Sequence, residues 1–166
     1  MNIESTLTNR SGQVLKVSYK EEDPLIDLES KSLQGVHGFC FCGDKLVIVY
    51  AESKKYWTPP GGGIEEGETF EEALVREVAE ETNMKVLHHE LIGYQDIWEP
   101  GKIVRQTRSF CVVEPFGEFV SDPDGEVTEI KLIDPSEYKK YFNWGIVGDR
   151  IFKEAIRKKL KFDAQK

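Results

Sequence analysis

Three glutamates, Glu77, Glu80 and Glu81, stand at i, i+3 and i+4, a spacing that gathers side chains on one side of a helix. On a wheel advancing about 100° per residue from Phe70, Phe70, Ala73, Leu74 and Val78 define an apolar stripe. Glu77 and Glu81 fall inside that stripe and Glu80 at its edge. Glu72 lies opposite and Glu71 on the flank, where ordinary surface acids belong. Like charges turned towards a core raise one another's pKa, and unpaired they cost on the order of several kcal/mol. Arg76 brings one positive charge, but it points to the flank and is better placed to orient a neighbour than to cancel three acids. A divalent cation answers the whole set. Carboxylate oxygens suit Mg²⁺, with Mn²⁺ as the other candidate, and Mg²⁺ keeps waters and takes substrate phosphates as further ligands. The competing reading of the same acids is a solvated helix laced by i,i+4 pairs.

The elements flanking these acids favour the first reading. Pro59 and Pro60 fix φ and withhold two backbone donors. Gly61, Gly62 and Gly63 follow, so a stiff segment meets a permissive one. That juxtaposition predicts a shaped loop or a close backbone approach. Thr69 reads as an N-cap and Glu72 completes a capping box. The helix is predicted over Phe70–Thr82, ending at Asn83, which tolerates the left-handed position past a helix end.

Around this segment the chain reads as strands. Val14–Tyr19 is one candidate, in an N-terminal stretch that suggests a short hairpin or a dimer contact. Gly35–Cys42 and Leu46–Tyr50 read as an antiparallel pair across a Gly43-Asp44 turn. Further strands are predicted at Val86–Leu91, Val104–Glu114 and Glu126–Ile133, with loops around Ile97–Gly101 and Ser121–Gly125. A helical turn opens near Pro135. Val147–Lys161 then reads as an amphipathic helix with Val147, Ile151, Ala155, Ile156 and Leu160 near one face. Strands on either side of a central helix, with a second helix at the end, imply an α/β sheet covered by helices.

Bulk properties exclude other classes. A length of 166 residues suits one domain with a real core. No apolar run approaches the roughly 18 residues of a membrane span. The first residues have neither a basic nor an apolar export region. The net charge of −8, from 22 basic and 30 acidic side chains, argues against a long nucleic acid as partner. It leaves room for a small phosphorylated ligand beside a metal. Three cysteines, Cys40, Cys42 and Cys111, form no disulfide framework and suit a reducing cytoplasm. Cys40 and Cys42 would share one face of a strand as buried thiols.

The segment from Gly62 to Met84 resembles the box of the Nudix hydrolase family (MutT-type). Glu68 follows Gly62 after five residues, and Arg76-Glu77-Val78-Ala79-Glu80-Glu81 follows after seven more. Thr82 fills the free position and Met84 the last aliphatic one. Asn83 stands where the family has glycine, and Pro59 where it often has leucine. The resemblance implies an α/β/α sandwich around a mixed sheet over residues 35–166, with residues 1–34 as an extension packed on it or at a dimer interface. It implies hydrolysis of a diphosphate linked to another moiety. Mg²⁺ would be held by Glu77, Glu80 and Glu81 with backbone help from Gly62, Arg76 would orient a box glutamate, and Glu68 would brace the loop–helix junction. Glu80 or Glu81 is the first candidate for the base, and Glu126 or Glu129 the second. Gly62 and Gly63 would offer amide contacts to substrate.

Recognition of the rest of the substrate is less legible. Arg105 and Arg108 could meet phosphates, but alternation puts them on opposite faces of a strand, so one of them at most is expected to do so. Trp57, Tyr94, Trp98, Phe142 and Trp144 could stack on a base or simply pack. The expected substrate is a nucleoside diphosphate-linked compound or a nucleoside triphosphate. An RNA 5′-end pyrophosphohydrolase and a non-catalytic nucleotide-binding domain are the alternatives.

Overall fold

The computed structural model describes residues 1–165. Nine strands and two long helices follow one another as β1 (Asn2–Thr8), β2 (Val14–Lys20), β3 (Lys31–Cys42), β4 (Lys45–Ala51), β5 (Tyr56–Thr58), β6 (Gly61–Gly63), α1 (Phe70–Thr82), β7 (Met84–Glu99), β8 (Lys102–Pro115), β9 (Val127–Ile133), a 3₁₀ turn (Pro135–Lys140) and α2 (Gly145–Ala164). The sheet runs β1-β2-β7-β8-β3-β4-β5, with β6 against β3 and β9 against β4. β3 and β8 are parallel and the other pairs antiparallel. This is a mixed sheet between two helices, the α/β/α architecture expected.

Alternation along β3 and β8 builds the two cores. Val36, Cys40, Cys111 and Val113 pack with Ala73, Leu74 and Val78 of α1. Phe39, Phe41 and Phe110 pack on the other side with Val147, Ile151 and Ala155 of α2. The cysteines are free; Cys40 and Cys111 are buried and Cys42 half-buried. Each helix is therefore held by one face of the same two strands, and rotating α1 would move its glutamates relative to the sheet.

The helix α1 starts and stops where its caps dictate. Thr69 Oγ1 accepts from the Glu72 amide while the Glu72 carboxylate accepts from the Thr69 amide. Asn83 closes the helix at φ 55°, ψ 41°, the left-handed region that glycine normally occupies. Its backbone N–H donates to Ala79 O at 2.9 Å. Its side-chain amide donates to Glu118 O at 3.0 Å, a bond that glycine could not make.

Several expectations need correction. The Gly61–Gly63 run is a strand, since Gly61, Gly62 and Gly63 pair with His37, Val36 and Gly35. β7 continues through the predicted Ile97–Gly101 loop as far as Glu99, because β8 pairs with it along its whole length and leaves only a tight turn at Pro100-Gly101. In α2, Leu160 is 65% exposed and Lys159 is buried in its place. The N-terminal stretch, by contrast, forms the short hairpin expected, β1–β2, and it joins the sheet through β7. β3 runs through Leu33 and Gly35 with a register shift against β8 between them.

Candidate active site

β6 and α1 meet at a glycine. A Cβ added to Gly62 would lie 2.5 Å from the Glu77 carboxyl carbon and 2.6 Å from each of its oxygens. Glycine at this position lets α1 lay Glu77 directly against the strand. One residue earlier, a Cβ on Gly61 would lie 2.1 Å from Val36 O, so the backbone of β3 excludes any side chain there. The Gly61 amide turns to the helix and donates to Glu81 Oε1 at 2.9 Å. The glycine strand thus brings its backbone against two of the helix acids.

Glu77 and Glu81 are each 8% exposed, as the wheel required, and Glu80 is half-buried. Arg76 ties them to the loop. Its Nε and Nη2 donate to both oxygens of Glu68, at 2.7 and 2.9 Å. Nη1 donates to Glu77 at 2.9 Å and to Glu80 at 3.3 Å, and Nη2 also donates to Gly63 O at 2.8 Å. The fork holds the Glu68 carboxyl down at about 2. It does not cancel the rest. Burial, with help from Glu77, Asp122 and Glu126, pushes Glu81 up to about 8 against the opposing bond from Gly61. Burial likewise raises Glu77, with Arg76 pulling the other way. Glu80 is raised by burial and by Asp124 and Asp122.

The loop before β9 supplies the remaining acids. Asp122 folds the Asp-Pro-Asp-Gly turn by accepting from the Asp124 amide at 3.1 Å and the Val127 amide at 3.0 Å. Gly125 takes φ +72° to close it. The turn sets Asp122 and Asp124 beside Glu80, and the three carboxylates each place an oxygen within 4.8 Å of the others. This oxygen-only set fits a hard divalent cation such as Mg²⁺. Glu77, Glu81, Asp122, Asp124 and Glu126 all line one cleft of about 490 Å³, together with Gly61–Gly63 and Lys54.

A model of the NUDIX domain family matches residues 34–154, well over half of the chain. The chain belongs to the Nudix family. Its fold is similar to that of the Bacillus subtilis pyrophosphohydrolase BsRppH, with a TM-score of 0.64, 22% identity and coverage of 78% of this chain and 77% of that one. It is also similar to the mutator MutT protein of Bacillus halodurans, with a TM-score of 0.54, 25% identity and coverage of 73% and 80%. Over 91 residues it is 33% identical to an RNA pyrophosphohydrolase of Teredinibacter turnerae (strain ATCC 39867 / T7901), covering 51% of this Nudix chain and 53% of that relative. The chain spans between about a third and about half the length of the first curated relatives it matches.

The residues singled out in the sequence divide into three groups. Gly62, Gly63, Glu77 and Glu81 line the cleft, Glu80 reaches it through the carboxylate trio, and Arg76 holds Glu77 and Glu80 from behind. Glu126 lines it too, with its carboxylate accepting from Ser53 Oγ at 2.6 Å. Arg108 lies in an adjoining chamber and does not line the acidic cleft.

Glu129, Trp57 and Arg105 stand apart from both. Glu129 is exposed on β9, opposite Tyr50. Trp57 packs edge-on against Tyr50 and Tyr141 with Lys131 over its ring. Arg105 is fully buried and paired with Asp96 at 2.8 and 3.0 Å, and it donates to the carbonyls of Pro24 and Ile26. Its donors are spent on Asp96 of β7 and on the N-terminal segment, so it is a structural clamp. Tyr94 stacks beneath that same guanidinium.

Asp122 and Asp124 are not among the site residues expected from the sequence, yet they cluster with Glu80. The Ser121–Gly125 segment has the composition of a loop, and the acids expected to act from this region are Glu126 and Glu129. Two aspartates flanking a proline, just ahead of Glu126, were the available signal. Their meeting with Glu80 crosses more than forty residues of chain.

Proposed function

We propose that this protein is a Mg²⁺-dependent hydrolase that cleaves a diphosphate linkage in a nucleoside diphosphate-linked compound or nucleoside triphosphate. The observation that carries this reading is the convergence of acids from α1 and the β8–β9 loop on one glycine-lined cleft. Acids packed this way raise one another's pKa in the absence of a cation, which is the electrostatic signature of a site built for one. Glu80, Asp122 and Asp124, with Glu77 and Glu81 beside them, would hold the metal. A bound Mg²⁺ supplies charge compensation and polarises phosphoryl oxygens. Arg76 orients Glu77 and Glu80 through a guanidinium fixed on Glu68. Glu126 faces the cleft without a salt bridge to Arg76 and is suited to take a proton from attacking water.

A panel of nucleoside triphosphates, dinucleoside polyphosphates and nucleoside diphosphate sugars, assayed with Mg²⁺, tests this reading. We expect turnover of at least one class, loss of most activity in Glu80→Gln, and retention of fold by circular dichroism. Folded protein that turns over none of them would overturn the reading.

A second reading is favoured by the names of the relatives, several of which are RNA pyrophosphohydrolases. In that case the diphosphate is the 5′ end of an RNA. Only the terminus need enter the cleft, so a net charge of −8 weakens but does not prevent binding. Release of terminal phosphate from triphosphorylated RNA, faster than from any mononucleotide, distinguishes it. For the setting we propose a reducing cytoplasm, supported by three free thiols, and a homodimer through the β1 edge of the sheet.

A further inference from the structure

Behind the acidic cleft lies a second chamber of about 500 Å³, and the two share His37, Lys54, Tyr56, Thr58 and Gln106 as common wall. Five carboxylates line the first chamber, whereas none lines the second. The second has an apolar side, Leu7, Val17, Ile97 and Val147, and an amide side, Gln95, Gln106 and Asn143. Arg108 lines it and is 3% exposed. No carboxylate among the described residues is paired with this guanidinium, and its Nε is a buried donor without a partner. A buried, unanswered donor costs on the order of 1–3 kcal/mol, and a buried cation without a counter-charge costs more. Folding alone does not call for such a group.

The direction of each bond follows from Arg108 being able only to donate. Nη2 donates to Gln106 Oε1 at 2.9 Å, which leaves the Gln106 amide nitrogen as a donor. Nη1 meets His37 Nδ1 at 3.2 Å, so Nδ1 carries the lone pair and the ring proton sits on Nε2. Burial and the neighbouring Arg108 keep His37 neutral by holding its pKa well below the usual range. Nη1 also donates to Thr107 O at 3.1 Å. These bonds use three of the five N–H donors of Arg108 and leave Nε–H and one Nη2–H unspent. Beside these stands the Gln106 amine, which also lines the chamber. Trp144 lies beneath the guanidinium, 5.0 Å from ring centroid to Cζ.

We propose that this chamber receives the base of the substrate and that Arg108 and Gln106 determine its specificity. They select bases with an acceptor oxygen where adenine and cytosine carry an amine. Guanine O6 and uracil O4 are acceptors, whereas adenine N6 and cytosine N4 are donors. A donor pair therefore welcomes the first two and leaves the others facing donor to donor. The shared wall between the chambers lets one ligand place its base here and its phosphates in the acidic cleft. The inference rests on the diphosphatase reading for the role of that cleft, but base binding is measurable without hydrolysis.

Isothermal calorimetry on the full chain with GMP, UMP, AMP and CMP, without metal and then with Ca²⁺, tests it. We expect GMP and UMP to bind at least about tenfold more tightly than AMP and CMP. The ratio should fall to within about twofold in Arg108→Met, which keeps length and apolar contact while removing the donor. Gln106→Leu, at a half-buried position, should shift the ratio the same way and serves if Arg108→Met does not fold. Equal binding of all four nucleotides, no binding in either condition, a preference unchanged in both variants, or displacement of GMP by an equal concentration of inorganic phosphate would each overturn the assignment. A keto-over-amino preference in a protein that hydrolyses no diphosphate would instead count against the diphosphatase reading and leave this one standing.

Discussion

Gly62 and Glu81 show how much of the site depends on single atoms. The three atoms nearest a methyl group at Gly62 all belong to the flexible end of Glu77, so the fold can yield by moving that carboxylate. Gly62→Ala is therefore expected to leave the melting temperature nearly unchanged while lowering kcat by about 10²-fold, the usual effect of misplacing a site group by about 1 Å. Measured kcat and thermal unfolding on the same preparation check both halves. Glu81 makes a different prediction. Its pKa rises from 4.5 unfolded to about 8 folded, so the metal-free native state binds more protons than the unfolded chain between those values. The contribution of Glu81 to stability is fully present below about pH 4.5 and is lost as pH rises towards 8. Metal-free protein should melt progressively lower from pH 5 to pH 8, and millimolar Mg²⁺ should flatten that slope. A melting temperature that rises over this range without metal would contradict the assignment.

At the next level up, α1 is an element whose ends matter more than its middle. Its register against β6 sets where the glutamates lie, and its termini set the register. Asn83 holds a positive φ and also donates to Glu118 O. Asn83→Ala would keep neither the tolerance nor the bond. It should cost about 1–2 kcal/mol from the backbone alone, measured by urea unfolding. Asn83→Gly relieves the backbone and loses the side-chain bond, so the two effects oppose and the net change should be under about 1 kcal/mol. The Nudix glycine that Asn83 replaces is thus one of two workable solutions for the same helix end. The other element that shapes the site is the β8–β9 turn, where Asp122 serves both as the hydrogen-bonded staple of its own loop and as one of the three clustered carboxylates.

Over the whole molecule, the hairpin is bound into the sheet by strand pairing, and the segment that joins it to β3 is bound by charge. Arg105 joins Asp96 of β7 to the carbonyls of Pro24 and Ile26. Arg150 of α2 makes a second such tie to Glu21, at 2.8 Å through both Nε and Nη2. Asp96→Ala leaves a fully buried guanidinium with no carboxylate on its Nε, and should destabilise the protein by about 3–5 kcal/mol. Arg105→Met in the same chain should recover part of that loss, because it removes the stranded charge. Denaturant midpoints of the two single variants and the double variant give the coupling. Because β1 and β2 carry Ser5, Thr6, Leu7 and Val17 to the second chamber, loosening the hairpin is expected to raise KM more than it lowers kcat.

Local chemistry was enough to read α1, its capping box, its left-handed end and the inward turn of Glu77 and Glu81. Those features depend on helical periodicity and on groups within four residues of one another. The same locality explains why the strand pattern around β3, β4 and β8 was legible, since alternation shows in the residues themselves. It misled for Gly61–Gly63, whose partner strand lies some twenty-five residues away and converts an apparent loop into an edge of the sheet. It could not separate Arg105 from Arg108, because identical side chains three residues apart differ only in what the rest of the chain brings to each face. On one face lie Asp96 and two carbonyls; on the other, a chamber without a carboxylate. Nor could it choose Asp122 and Asp124 over Glu129, since that choice depends on which way a distant turn closes. The chain itself settled that a glutamate-bearing helix is delivered by a glycine segment, because backbone propensity and side-chain spacing are short-range. Only tertiary packing decided which acids meet it and which arginine is left with an unspent donor, because those are contacts between segments far apart in sequence.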